Sequence, residues 1–191
     1  LRQEDLIQNP ADVYAVMWCA AGGFGDPMER EPGRVHSDVE NLAISRTAGR
    51  EIYGVVWDET SGDLDLIATE KLRADVRAGR LAKNNGNGSM KVEGQTLFDL
   101  TDTLSLMENG NGQRYACRKC ATDLGPQGDN YKAHCLQENA TLDHANPLIG
   151  DPHRFIDDTP EFRQFFCPGC GTLIENEIAI AGEDLLMDIH V

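Results

Sequence analysis

The fold of this chain is decided by two short stretches, Cys117-Arg118-Lys119-Cys120 and Cys167-Pro168-Gly169-Cys170-Gly171. Each is a Cys-x-x-Cys turn, which can aim two thiolates at one ion while its backbone N–H groups point at the sulfurs. Two such turns supply the four soft ligands of a closed tetrahedral site. The glycine after the second turn relieves backbone crowding where the chain folds over the sulfur. The predicted ligands of one metal ion are Cys117, Cys120, Cys167 and Cys170.

The ion in this site is predicted to be zinc with a structural role. Four protein thiolates leave no open position for water or substrate, so a catalytic zinc is not expected. A rubredoxin-like iron site is the closest alternative, because two Cys-x-x-Cys turns also bind iron. The remaining interpretation is four reduced, buried thiols without a metal. Spacing alone identifies no catalytic triad, zinc-protease motif or carboxylate pair, so no catalytic or organic-cofactor residues are predicted.

Composition excludes several classes of protein. The chain has 191 residues and is 40% hydrophobic, so it should fold. Its formal net charge is -15, and the acidic residues are spread over its whole length, which argues against nucleic-acid partners. No stretch approaches the roughly 20 apolar residues of a membrane span, and no signal peptide is visible at Leu1. Because four of the six cysteines are paired for ligation, we expect a cytoplasmic metal-binding protein rather than a disulfide-bonded one.

Three short helices are predicted before residue 84. The first should begin at about Pro32, because proline suits a first helical turn and apolar residues follow at helical spacing. Those apolar residues are Val35, Val39 and Leu42. Ser45 is predicted to cap the second helix and Thr69 the third, since a hydroxyl can accept a hydrogen bond from an unpaired N–H of the first turn.

Strands are predicted on both sides of these helices. Residues 13–18 form a short apolar run, residues 53–57 read as a buried strand, and residues 114–116 lead into the first cysteine turn. Leu173–Ile180 alternates enough to be the strand that leaves the second turn. In contrast, residues 158–162 are predicted to begin a helix, because a proline follows a capping residue there.

The predicted organisation has three parts. Residues 1–83 form an extended part with short helices and strands, and residues 84–113 form a glycine-rich linker with short connecting elements. Residues 114–191 form a β-rich, zinc-ribbon-like module. The predicted fold class is therefore α+β.

Several residues that bind metals or phosphate elsewhere are interpreted as structural here. His134 and Cys135 are adjacent and would point in different directions, so we expect a surface histidine beside a buried cysteine. Cys19 stands alone and is expected to be a small core residue. Residues 22–25, Gly-Gly-Phe-Gly, lack the spacing and context of a phosphate-binding loop and are expected to form a turn.

A resemblance to a known family lies in the first part of the chain. Residues 22–30, Gly-Gly-Phe-Gly-Asp-Pro-Met-Glu-Arg, resemble the G-G-x-G-D-P-x-x-R segment near the end of hydantoinase B/oxoprolinase-type subunits. The likeness continues in Val35, Asp38-Val39, Ser45-Arg46, Ala48, Arg50-Glu51 and Tyr53-Gly54-Val55-Val56. It covers only the tail of that family, so the family's activity is not implied for this chain.

A second resemblance runs from about residue 116 to the end. The stretches Tyr115-Ala116-Cys117-Arg118-Lys119-Cys120 and Asn130-Tyr131-Lys132 are similar to the small zinc-bearing subunit of acetone and acetophenone carboxylases. Residues 163–173, which contain Phe-Cys-Pro-Gly-Cys-Gly-Thr-Leu, are its most distinctive part. The resemblance implies a subunit of an enzyme that uses ATP and bicarbonate, without biotin, to carboxylate a ketone next to its carbonyl.

The two resemblances together suggest a non-catalytic accessory subunit of an acetophenone carboxylase-like complex. Its implied partners are hydantoinase A-like and hydantoinase B-like large subunits, which would carry out the chemistry. The implied cofactor of this chain is structural Zn²⁺. The alternatives are a stand-alone zinc-ribbon adaptor and a rubredoxin-like electron carrier.

Overall fold

The fold is given by a computed structural model, which describes residues 9–11, 25–83, 90–146 and 149–190. The predicted strand at residues 13–18, the isolated Cys19 and most of the glycine-rich turn at residues 22–25 lie outside the described residues. We refer to residues 25–83 as the helical segment and to residues 90–190 as the strand module.

The helical segment contains three α-helices: α1 (Pro32–Glu40), α2 (Arg46–Glu51) and α3 (Leu66–Ala82). Pro32 occupies the first turn of α1, as predicted. The predicted cap of α2 is also confirmed, because Ser45 Oγ accepts the N–H of Ala48 at 3.0 Å. None of the helices in the described part of the chain is both long enough and apolar enough to cross a bilayer.

The predicted cap of α3 is wrong. Asp65 caps this helix and accepts the N–H of Ala68 at 2.8 Å. Thr69 lies one turn later, is buried, and accepts the N–H of Val56 through its hydroxyl at 2.9 Å. The hydroxyl therefore satisfies a backbone donor from a neighbouring segment rather than one of its own helix.

Two further predictions in the helical segment need correction. Leu42 does not share the apolar face of α1, because it follows the helix in a left-handed conformation with φ of 59° and is 90% exposed. Residues 53–57 do not form a strand, although Val55 is buried. Trp57 makes a single antiparallel bridge with Leu64. Gly54, at a φ of 63°, turns the backbone away from an extended path.

The strand module contains two antiparallel sheets. The first has the order β1-β2-β3-β4 and the second the order β5-β6-β7. The strands are β1 (Gln95–Asp99), β2 (Leu104–Asn109), β3 (Gly112–Cys117), β4 (Asp123–Pro126), β5 (Leu136–Ala140), β6 (Pro160–Phe166) and β7 (Leu173–Ile180). The predicted strands at residues 114–116 and 173–180 are confirmed as parts of β3 and β7.

The helix predicted to begin at residues 158–162 is a strand instead. Pro160 is the first residue of β6, where a missing N–H is tolerated. The strand lies between β5 and β7, so its backbone groups are hydrogen bonded on both sides. Phe165 pairs with Gln137 of β5 and with Glu175 of β7. These partners are distant in sequence and override the local helix signal.

Each part of the molecule has its own apolar core. Val35, Val55 and Trp57 form the buried cluster of the helical segment. The main cluster of the strand module lies around the cysteine turns and consists of Leu104, Leu106, Tyr115, Cys117, Leu124, Tyr131, Cys167 and Ile174. The predicted α+β class is therefore confirmed, with the cysteines in the β-rich carboxyl-terminal part.

A buried ion network holds the carboxyl-terminal residues against the module. Lys132 Nζ lies 2.8 Å from a carboxylate oxygen of Glu177 and 3.0 Å from one of Asp188. It also donates to the carbonyl of Leu186 at 3.0 Å. Arg163 donates to the other oxygen of Glu177 at 3.1 Å. Because the Lys132 side chain is only 1% exposed, these partners are what make its burial tolerable.

Candidate metal centre

The two cysteine turns occupy equivalent positions in the two sheets. The first turn, residues 117–120, connects β3 to β4, and the second, residues 167–170, connects β6 to β7. Both therefore lie at the ends of antiparallel strand pairs. This placement brings the four cysteines selected by their spacing into one cluster.

The four sulfurs are close enough to bind a single ion. Their Sγ atoms all lie within 4.8 Å of one another. Cys117 Sγ is 3.7 Å from Cys170 Sγ, and Cys120 Sγ is 3.6 Å from Cys167 Sγ. A tetrahedral site with metal–sulfur bonds of about 2.3 Å has sulfur–sulfur edges of about 3.8 Å. The spacing of the thiols thus fits a four-coordinate ion.

The backbone of the two turns follows the same hydrogen-bonding pattern. The first cysteine of each turn donates its N–H to a threonine carbonyl five residues later, at 2.8 Å in both cases. Its own carbonyl accepts the N–H four residues later, at 2.7 Å in the first turn and 2.9 Å in the second. The residue after the second cysteine is left-handed in both turns, with φ of 57° at Ala121 and 69° at Gly171. The second turn adds an N–H of Gly169 that donates to Cys167 Sγ at 3.4 Å.

Two threonines near the sulfurs were missed by the sequence analysis. Thr122 Oγ1 lies 3.1 Å from Cys120 Sγ, and Thr172 Oγ1 lies 3.3 Å from Cys170 Sγ. Both threonines are buried. A hydroxyl that donates to a thiolate stabilises its charge and orients it. The signal was present in the sequence, because both turns read Cys-x-x-Cys-x-Thr.

Hydrogen bonds among the four thiols shift their pKa values. Such bonds, chiefly with Cys117, lower the pKa of Cys120 and lower that of Cys170 to about 6. They raise the pKa of Cys117 and Cys167 above the ordinary range. A bound cation would be needed to hold all four as thiolates at these distances.

Comparison with known proteins places this cluster within a family. The family model described as acetone carboxylase gamma subunit matches residues 90–191, which is more than half of the chain and includes both cysteine turns. The chain belongs to the acetone carboxylase gamma subunit family. Family membership is thus shown by the strand module.

Individual relatives of this gamma-family chain are also subunits of carboxylases. The acetophenone carboxylase beta subunit of Aromatoleum aromaticum is 33% identical over 84 residues, which cover 42% of this chain and 65% of that protein. The delta subunit of the same enzyme is 36% identical over 56 residues, or 29% of this chain and 8% of that subunit. The acetone carboxylase alpha subunit of Xanthobacter autotrophicus is 38% identical over 77 residues, covering 38% of this chain and 10% of that subunit. The chain thus spans less than two thirds of each relative.

The remaining candidate residues lie outside the cysteine cluster. The His134 side chain is 41% exposed, and its Nε2 lies 3.5 Å from a carboxylate oxygen of Asp129. Cys135 packs against the apolar core of the module. Burial raises the pKa of Cys135 to about 12, so this thiol stays protonated. The histidine is on the surface, as the sequence predicted, whereas the cysteine predicted to be buried is partly buried against the core.

Proposed function

We propose that this chain is a structural, zinc-binding subunit of a ketone carboxylase complex. Its family membership and its carboxylase relatives support the enzyme class. The observation that carries the proposal is the cysteine cluster, because four thiols at tetrahedral spacing lie inside the region that the family model matches. The proposed zinc ligands are Cys117, Cys120, Cys167 and Cys170.

The proposed role of the zinc is structural. All four ligands come from the protein, so no coordination position is open for water or substrate. When bound, zinc would neutralise the thiolates and fix the two turns relative to each other. Thr122 and Thr172 would hold the sulfurs of Cys120 and Cys170 in orientation. A reducing compartment such as the cytoplasm would keep these thiols free of disulfides.

The chemistry is proposed to belong to partner subunits. In this account the complex joins bicarbonate to a ketone at the expense of ATP, without biotin, and yields a β-keto acid. The proposed partners are large hydantoinase A-like and hydantoinase B-like subunits. The relatives support this proposal. The chain matches 65% of the length of a beta subunit, and it also matches short pieces of an alpha and a delta subunit.

The proposed division of labour follows the predicted organisation of the chain. Residues 1–83 would be a docking segment, residues 84–113 a linker with short elements, and residues 114–191 the zinc-bearing module. The pairing of β1 and β2 with β3 in one sheet favours placing the start of the module nearer residue 90, which is also where the family match begins.

Removal of the chain from the complex tests this proposal. We expect a complex prepared without the chain to lose assembly and carboxylation together, and both to return when the chain is added back. A version in which Cys120 and Cys170 are changed to serine should not restore assembly. Full activity and assembly in the absence of this chain would refute the proposal, as would a red, iron-containing protein that transfers electrons.

A further inference from the structure

The contact between the helical segment and the strand module is polar, whereas each part has an apolar core of its own. The buried cluster of the helical segment contains Val35, Val55 and Trp57, and none of these belongs to the module's clusters. Among the described residues, the hydrogen bonds that join the two parts instead involve carboxylates, guanidinium groups, ammonium groups and backbone groups. Separate cores joined by a polar contact are typical of an interface between independently folded units.

Asp26 is the centre of this contact. Its side chain is fully buried, and one oxygen accepts the N–H of Met28 at 2.9 Å. The other oxygen accepts the N–H of Leu173, at the start of β7, at 3.0 Å and also lies 3.2 Å from Arg80 Nη1. Three donors thus converge on the two oxygens of one carboxylate. An ionised carboxylate can satisfy all three, because both of its oxygens act only as acceptors.

Arg80 connects the same carboxylate to the second cysteine turn. Its Nη1 also donates to the carbonyl of Gly171 at 2.8 Å. Its guanidinium lies over the ring of Phe166, 4.4 Å from the ring centroid. Phe166 and Gly171 flank the second cysteine turn on its two sides, so α3 rests directly on that turn.

Further contacts surround this centre. Glu29 pairs with Arg77 within the helical segment and with Lys119 in the first cysteine turn. Lys83 Nζ lies 2.6 Å from a carboxylate oxygen of Glu138 in β5. The backbones approach closely at Gly171, where an added Cβ would lie 2.9 Å from the carbonyl oxygen of Arg77. Both cysteine turns therefore contribute to the surface on which the helical segment lies.

We infer that the surface formed by Phe166, Gly171 and Leu173, with Lys119 at its edge, is a docking site for the helical segment that does not require the covalent link through residues 84–89. This inference deepens the proposed function, because it identifies the surface by which the zinc-bearing module would hold a large-subunit-like segment. The partner that the surface fits is a helical segment with an Asp-Pro turn and an arginine on an adjacent helix. The same pairing would then form between separate chains.

Cleavage of the linker in the intact, metal-containing protein tests the inference. A recognition sequence for a site-specific protease is placed between residues 84 and 89, and the folded chain is cut. At a protein concentration of about 10 µM, the two fragments should co-elute in size-exclusion chromatography as one species of the original mass. Separation of the wild-type fragments at this concentration would overturn the inference.

Substitutions at the centre of the contact make the test specific. Asp26→Asn is isosteric but turns one acceptor into a donor that faces N–H groups, so affinity between the fragments should fall by about 100-fold and they should separate. Arg80→Lys keeps the charge but cannot span Asp26, Gly171 and Phe166, and a loss of about 10-fold is expected. Asp38→Asn is the matched control, because Asp38 forms an exposed pair with Arg30 within the helical segment. Its fragments should remain together.

Folding of each variant is checked before cleavage, by circular dichroism of the uncut chain. Fragments of Asp26→Asn and Arg80→Lys that stay together as tightly as wild type would overturn the assigned surface. Separation of the Asp38→Asn fragments to the same degree would do so as well. The test needs no carboxylase subunit, so a failure here is distinguishable from a failure of the proposed function, which is read from assembly and carboxylation.

Discussion

The carboxylate of Asp26 accepts the backbone N–H of Leu173 at 3.0 Å, although the two residues are 147 positions apart. Leu173 begins β7 three residues after Cys170, so the bond reaches the chain as it leaves the second cysteine turn. The turn therefore has two constraints, the sulfur cluster on one side and the helical segment on the other. Changes at the cysteines should consequently also alter the packing of the helical segment against the second cysteine turn.

Loss of one cluster cysteine should remove the metal. Cys120→Ser is expected to lower the metal content from about one ion per chain to well below one half, because a hydroxyl is a poor replacement for a soft thiolate ligand. Metal analysis of the purified protein measures this. Cys135→Ser is the matched control, since Cys135 lies outside the cluster and should leave the metal content unchanged. Equal metal content in the two variants would contradict the assignment.

The two threonines should tune metal affinity without changing stoichiometry. Thr172→Val removes a buried hydroxyl that lies 3.3 Å from Cys170 Sγ, at nearly constant side-chain volume. We expect about 10- to 100-fold weaker metal binding, measured by competition with a chelator of known affinity. Thr60→Val, at an exposed position in the helical segment, should bind the metal as wild type does. A wild-type affinity in Thr172→Val would show that the hydroxyl has no such role.

The two turns differ at the residue after the second cysteine, which is Ala121 in the first and Gly171 in the second. Changing alanine to glycine at the first position and glycine to alanine at the second should have opposite effects on the free energy of unfolding. Ala121→Gly should raise the free energy of unfolding by about 0.5–1 kcal/mol, because alanine at a φ of 57° is strained. Gly171→Ala should lower it by about 2–3 kcal/mol, since it adds the same strain and brings a Cβ to 2.9 Å from the Arg77 carbonyl oxygen. Denaturant unfolding measures both values. Effects of the same sign would be inconsistent with the repeated turn geometry.

The buried Lys132 should contribute a large and pH-dependent share of stability. Lys132→Met is expected to cost about 3–5 kcal/mol near neutral pH, because it removes the cation that pairs with both Asp188 and Glu177 and leaves the buried Glu177 with Arg163 alone. Lys83→Met, which removes an exposed partner of Glu138, should cost at most about 1 kcal/mol. Urea unfolding compares the two.

The sign of the pH dependence follows from the raised pKa of Lys132. Desolvation by burial lowers this pKa, but the hydrogen bonds and charges of Glu177 and Asp188 outweigh it, so the folded value lies above the ordinary 10.5. The folded state therefore holds the proton more tightly than the unfolded state does. The contribution should be complete below pH 10.5 and should fall as the pH rises towards the folded pKa. Lys132→Met should lack this part of the alkaline loss, and an unchanged alkaline slope would contradict the account.

The cysteine cluster was predictable because its information is local. Each Cys-x-x-Cys turn is encoded by adjacent residues, and the four cysteines could be assigned without knowledge of the rest of the fold. The threonines could have been assigned in the same way, since Cys-x-x-Cys-x-Thr occurs in both turns. Local capping signals also identified Ser45, although at Thr69 the same reasoning failed, because the hydroxyl was already engaged by Val56.

The features that sequence reasoning missed depend on partners that are distant in the chain. β6 is a strand because β5 and β7 lie on both sides of it. The sequence of residues 158–162 alone gives no information about either neighbouring strand. Arg163 is buried because Glu177 lies opposite it in β7. Asp26 likewise gains its role only where α3 and the second cysteine turn meet.

The central claim is tested most directly by the mass and metal content of the complex that is purified through this chain from its natural source. We predict that the chain co-purifies with large carboxylase subunits and carries one zinc ion per copy. Native mass spectrometry and metal analysis of the same sample provide both numbers. A chain that elutes alone, or that is isolated with iron or with no metal at its four clustered cysteines, would contradict the account.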